Sequence, residues 1–78
     1  MESLVLLGRY ITRRRDFLRL RQKGLATLSG ISDATLRAIE TGKPGVAIQN
    51  WIKVADILGL EMVLQTKKMS DETRKSME

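Results

Sequence analysis

The chain has 78 residues and a formal net charge of +5, with no cysteine and no histidine. That length makes one small domain with a limited core, for which pairing with a second copy would add stability. The missing cysteine excludes a disulfide framework and a thiolate metal site, and the missing histidine removes the commonest general base and metal ligand.

Leu4, Leu7, Ile11 and Leu18 recur at three-, four- and seven-residue steps, which predicts a first amphipathic helix over roughly residues 3 to 17. The first 23 residues carry Arg9, Arg13, Arg14, Arg15, Arg19, Arg21 and Lys23 against Glu2 and Asp16, so the whole charge excess lies there. Such a cluster suits phosphates: their neutralisation releases counterions, and arginine's planar fork grips phosphate oxygens bidentately. For any single arginine the plainer alternative is a solvated basic helix face. No apolar run is long enough to span a membrane, and the opening MESLVLL lacks the charged start and cleavage site of a signal peptide. A cytoplasmic protein is expected.

Residues 22 to 43, QKGLATLSGISDATLRAIETGK, read as two short helices joined by a tight turn. Leu25, Ala26 and Leu28 supply an apolar patch on the first, and Leu36 and Ile39 supply one on the second. Gly30 between them can take the positive φ that the corner requires, while Ser32 or Asp33 can cap the second helix. Gly42 then reads as a C-cap, with Pro44 preventing continuation. This is the outline of a helix-turn-helix; the plainer alternative is a generic pair of packed helices. Arg15, near the end of the first stripe, and Glu40, in the final turn of the motif, can form a structural ion pair.

Ile48, Ile52, Ala55 and Leu58 predict a further helix closed by Gly59, with Trp51 read as core rather than as an anchor for a partner. Residues 60 to 66 are extended in character, with β-branched Val63 and Thr66, and read as one strand. A lone strand needs a partner for its backbone groups, and the simplest is the same strand of a second copy, through Met62, Val63, Leu64 and Gln65. The competing partner is Ser3 to Leu7 of the same chain. Beyond it, four basic and three acidic residues with almost no apolar content predict a flexible polar tail over residues 67–78, leaving residues 1–66 as the domain.

An ordered run carries a wider resemblance: Leu7-Gly8, Arg15, Leu20, Gln22, Leu25-Ala26, Ser29-Gly30-Ile31-Ser32, Thr35-Leu36, Ile39-Glu40, Gly42-Lys43, Ala55 and Leu58-Gly59-Leu60. Over residues 7 to 60 the chain resembles the Xre/Cro-type helix-turn-helix family. The strand and tail make it most similar to HipB-like antitoxins, small dimeric repressors that bind a HipA-like kinase toxin. The resemblance implies an all-α, five-helix lambda-repressor-like domain whose short C-terminal β-strand pairs across a homodimer on a palindromic operator in double-stranded DNA.

Carried over to matching positions, the resemblance makes Gln22 and Lys43 phosphate contacts. Where this chain departs from the family pattern, Arg21 leaves a weak helix cap that a phosphate can replace, and Arg14 either snorkels from the helix face or touches a DNA phosphate. It places Ser32, Asp33, Ala34, Thr35 and Arg37 on the base-reading face of a recognition helix. Arg37 could read guanine, Asp33 could accept from cytosine, and Ala34 or Thr35 could meet a thymine methyl. Other readings are a stand-alone repressor and a protein-binding adaptor that has lost DNA binding. An enzyme is not expected, since no glycine loop for phosphate and no paired-carboxylate pattern joins the missing histidine and cysteine. No metal or cofactor is expected either.

Overall fold

A computed structural model describes residues 2–67, so all of the expected tail but Lys67 lies outside the described residues. These residues form four helices, α1 Glu2–Phe17, α2 Gln22–Ser29, α3 Asp33–Thr41 and α4 Ile48–Ile57. Helix α1 packs on α3, and α2 packs on both α3 and α4.

The helix boundaries follow from local chemistry. Helix α1 ends where Leu20 N–H donates to the Arg15 carbonyl and Arg19 turns to a φ of 59°, a left-handed cap position that glycine usually fills. Helix α2 starts at Arg21 with no side-chain cap. It stops at Gly30, φ 70°, where Ile31 N–H returns to the Ala26 carbonyl at 3.0 Å. Helix α3 is capped by Ser32, whose Oγ accepts from Thr35 N–H at 3.0 Å. Helix α4 closes through Leu58, and Leu60 N–H reaches the Ala55 carbonyl at 2.8 Å.

The core gathers Ile11, Leu25, Ala26, Leu36, Ile39, Trp51, Val54 and Leu58, with Leu4, Leu20, Ile31, Val46 and Leu60 packed around it. Leu25, Leu36, Ile39, Val54 and Leu58 are fully buried, each worth about 1.5–3 kcal/mol relative to exposure. Two glycines let α1 approach α3 backbone to backbone. A Cβ on Gly8 would lie 2.5 Å from the Ile39 carbonyl oxygen, and one on Gly42 would lie 2.5 Å from Val5 Cα.

Four sequence expectations differ from this architecture. The family resemblance implies five helices, and the described residues hold four. The segment Leu60 to Thr66 is not a strand within the chain. Pairing with Ser3 to Leu7 is ruled out, because those residues belong to α1 and spend their backbone groups on its helical ladder. The apolar stripes hold only in part, with Leu4, Ile11, Ala55 and Leu58 turned to the core as expected. Helix α4 buries Trp51, Val54 and Ala55, leaving Ile48 and Ile52 exposed, because Trp51 brings the larger side chain to the core side. Leu7, Leu18 and Leu28 are likewise exposed.

Candidate nucleic-acid interface

The outer face of α3 is polar and small, and its core face is apolar. Leu36 and Ile39 are fully buried, while Asp33, Ala34 and Arg37 are exposed on the other side. Ala34, Arg37, Ala38 and Thr41 line a shallow open cleft of about 190 Å³, together with Lys43 just beyond the helix. The small side chains at Ala34 and Ala38 let a flat edge approach the helix closely. Ser32 and Thr35 are tied to one another, since Ser32 Oγ donates to Thr35 Oγ1 at 2.8 Å besides capping the helix. Thr41 donates to the Arg37 carbonyl at 2.8 Å, which pins the last turn.

Beside this face stands the N-terminus of α2. Arg21 gives it no side-chain cap and its first turn holds no acid, so its first N–H groups and the positive end of its dipole stay open to an anion. Arg19, Arg21 and Lys23 are exposed around it. Gln22, the first residue of α2, donates from Nε2 to Glu40 Oε1 at 3.2 Å. Glu40 also receives Arg15: Nε donates to Oε2 at 2.8 Å and Nη2 to Oε1 at 3.1 Å. Arg15 Nη1 donates to the Leu20 carbonyl at 2.9 Å, so one guanidinium ties α1 to α3 and to the loop before α2. The hydrogen bond to Glu40 raises the Arg15 pKa above its ordinary value, against a smaller opposing effect of burial.

A sequence model described as a helix-turn-helix domain matches residues 6–65, most of the chain. The chain belongs to the helix-turn-helix domain family. None of the curated proteins compared matches it. Among solved structures it is similar to the restriction-modification controller protein C.AhdI from Aeromonas hydrophila. That likeness has 31% identity and a TM-score of 0.72, and covers 78% of this chain and 92% of the other. It is also similar to a chain of the HipA-HipB-O2-O3 complex, at 25% identity and a TM-score of 0.73, covering 82% of this chain and 90% of that one. The fold is that of a DNA-binding regulator, as the resemblance to Xre-type and HipB-like proteins implied.

Within this helix-turn-helix domain the remaining site residues divide. Gln22 and Glu40 meet across α2 and α3, and Arg37 and Lys43 border one cleft. Arg14 is engaged elsewhere: its Nε donates to the Leu58 carbonyl at the end of α4 at 3.0 Å, and its guanidinium lies 5.3 Å from the Phe17 ring centroid. Met62, Val63, Leu64 and Gln65 are exposed. Sequence reading passed over Ala38 and Thr41, which share the outer face of α3 with Ala34 and Arg37. Their spacing of four residues from Ala34 and Arg37 would have found them. No helix among the described residues is long and apolar enough to cross a membrane.

Proposed function

We propose that this chain is a sequence-specific DNA-binding repressor, working in the cytoplasm as a homodimer on a palindromic operator. It serves as the antitoxin of a HipA/HipB-like pair, binding a HipA-like kinase toxin and regulating its own operon. The observation that carries the DNA-binding part is the exposed face of α3, with Arg37 and Lys43 bordering one cleft beside the uncapped, arginine-ringed start of α2. Asp33, Ala34 and Arg37 meet base edges, with Ser32 and Thr35 at the leading turn, while Gln22, Arg21 and Lys43 hold phosphates. Arg14, committed to Leu58 and Phe17, is assigned to the fold.

An apolar face supports the homodimer. Leu7 and Tyr10 of α1, Ile48 and Ile52 of α4, and Met62 to Leu64 line one open groove of about 570 Å³. Leu64 is fully exposed and Val63 is 63% exposed, so segment 60–66 offers both apolar side chains and free backbone groups to its copy. Pairing about a two-fold axis sets two α3 helices to reach half-sites about one helical turn apart. The likeness to a chain of the HipA-HipB-O2-O3 complex supports the toxin and operator partners.

A second reading, a regulator with no toxin partner, is favoured by the higher identity to the restriction-modification controller. Fluorescence anisotropy on the protein's own promoter, at two salt concentrations and against a scrambled duplex of equal length, tests the DNA-binding part. Tight, selective and salt-sensitive binding is expected; equal weak binding to both duplexes would reject it. Co-purification of a kinase encoded beside this gene then separates antitoxin from stand-alone regulator.

A further inference from the structure

We propose that Glu40 is a positioning residue for phosphate binding, acting through Gln22, beyond its part in an ion pair; the proposal rests on the DNA-binding reading above. The Glu40 side chain is 6% exposed, and its two oxygens accept three hydrogen bonds from two other helices. Arg15 alone would complete the ion pair, since its Nε and Nη2 already make a bidentate contact. The bond from Gln22 is additional, and it reaches the residue that opens α2.

An ionised carboxylate only accepts, so the part of the Gln22 amide that faces Glu40 is the nitrogen. One N–H is used there and the other stays free to donate. A phosphate oxygen also only accepts and can be met by that second N–H, whereas an untethered glutamine could equally offer its own oxygen and repel the phosphate. The tether therefore removes a misoriented state before DNA arrives and lowers the ordering cost of binding. Arg15 offsets the Glu40 charge, so the tether does not set an uncompensated anion beside the polyanion. Glu40 lies in the last turn of α3, three residues before Lys43, so one carboxylate spaces the Gln22 donor against the reading helix.

The test replaces the pair without changing net charge. Arg15→Met with Glu40→Leu leaves no buried charge unpaired and removes the acceptor from Gln22. Affinity for an operator selected from random duplexes is read by anisotropy below the onset of melting. Positioning predicts roughly fivefold weaker binding, the cost of ordering one rotamer-rich side chain that the tether otherwise holds in place. The salt dependence stays unchanged, because Gln22 carries no charge. In a Gln22→Ala background the double change should cost no further affinity. Unchanged affinity, or an equal loss in both backgrounds, overturns the proposal. If the double variant does not fold, Glu40→Asp takes its place, keeping the charge for Arg15 but withdrawing the carboxylate from Gln22. A parent protein with no sequence-selective binding overturns the DNA-binding reading itself, a result distinct from selective binding that ignores Glu40.

Discussion

Gly8 of α1 lies against Ile39 of α3 so closely that a Cβ on it would stand 2.5 Å from the Ile39 carbonyl oxygen. The obstacle is backbone on both sides, with the Glu40 carbonyl oxygen at 2.6 Å, so no side chain can swing away to make room. Gly8→Ala forces the helices apart at their crossing and should cost about 3 kcal/mol. Thermal melting by circular dichroism checks this. A melting temperature equal to the parent's would mean that α1 does not cross α3 at Gly8.

Arg19 holds a φ of 59° at the end of α1, a conformation that costs an L-residue roughly 1–2 kcal/mol and costs glycine almost nothing. Arg19→Gly should therefore stabilise the fold by about 1 kcal/mol after the unfolded-state entropy of glycine is allowed for. The same change removes an exposed cation beside the start of α2, so DNA affinity should fall while stability rises. Chemical denaturation and anisotropy on one preparation read both. A loss of stability would show that the arginine gains more from its surroundings than the left-handed turn costs.

The exposed row Met62 to Leu64 carries the dimer model. Val63→Pro removes one backbone donor and restricts the residue before it, so the extended segments can no longer pair through that position. Sedimentation should move from dimer towards monomer, with the helical signal unchanged because residue 63 lies outside the four helices. An intact dimer in this variant would reject pairing through the segment and leave the apolar face of α1 and α4 as the contact.

The elements with local signals were legible in the sequence. Gly30 and Gly42 take the left-handed caps that their positions between apolar patches demanded, and Ser32 caps α3. Helix α4 was found in the right place, with Trp51, Ala55 and Leu58 inward as expected, but Ile48 and Ile52 of the expected stripe face out, because Trp51 and Val54 widen the apolar side beyond what the core covers. Spacing gives the apolar side of a helix but not which edge of that side the core covers. The strand expected after Leu60 is not formed within residues 60–66, since an extended segment becomes a strand only with a neighbour for its backbone groups and a local pattern names no neighbour. Arg14, at a position where the family is often apolar, was read as either snorkelling from the helix face or touching DNA, and sequence alone does not decide between them. Its bond to the Leu58 carbonyl joins residues 44 apart in sequence, a relationship that no spacing rule contains.

Arg37 and Lys43 border the same cleft, yet their loss should be distinguishable. Arg37 is exposed on the outer face of α3, where its fork can meet a guanine edge with two parallel hydrogen bonds. Lys43 follows Gly42 beyond the helix, where a point charge would meet phosphate and carry no base information. Arg37→Ala should cost about 1–3 kcal/mol on the selected operator and relax preference at one base position per half-site. Lys43→Ala should weaken every duplex alike and lower the slope of log affinity against log salt by about one. Repeating the selection with each variant separates the two roles, because a lost phosphate contact leaves the selected sequence unchanged and a lost base contact does not. If Arg37→Ala returns the parent operator with only the salt slope altered, Arg37 belongs with Lys43 on the backbone, and base reading must rest on Asp33 and Ala34.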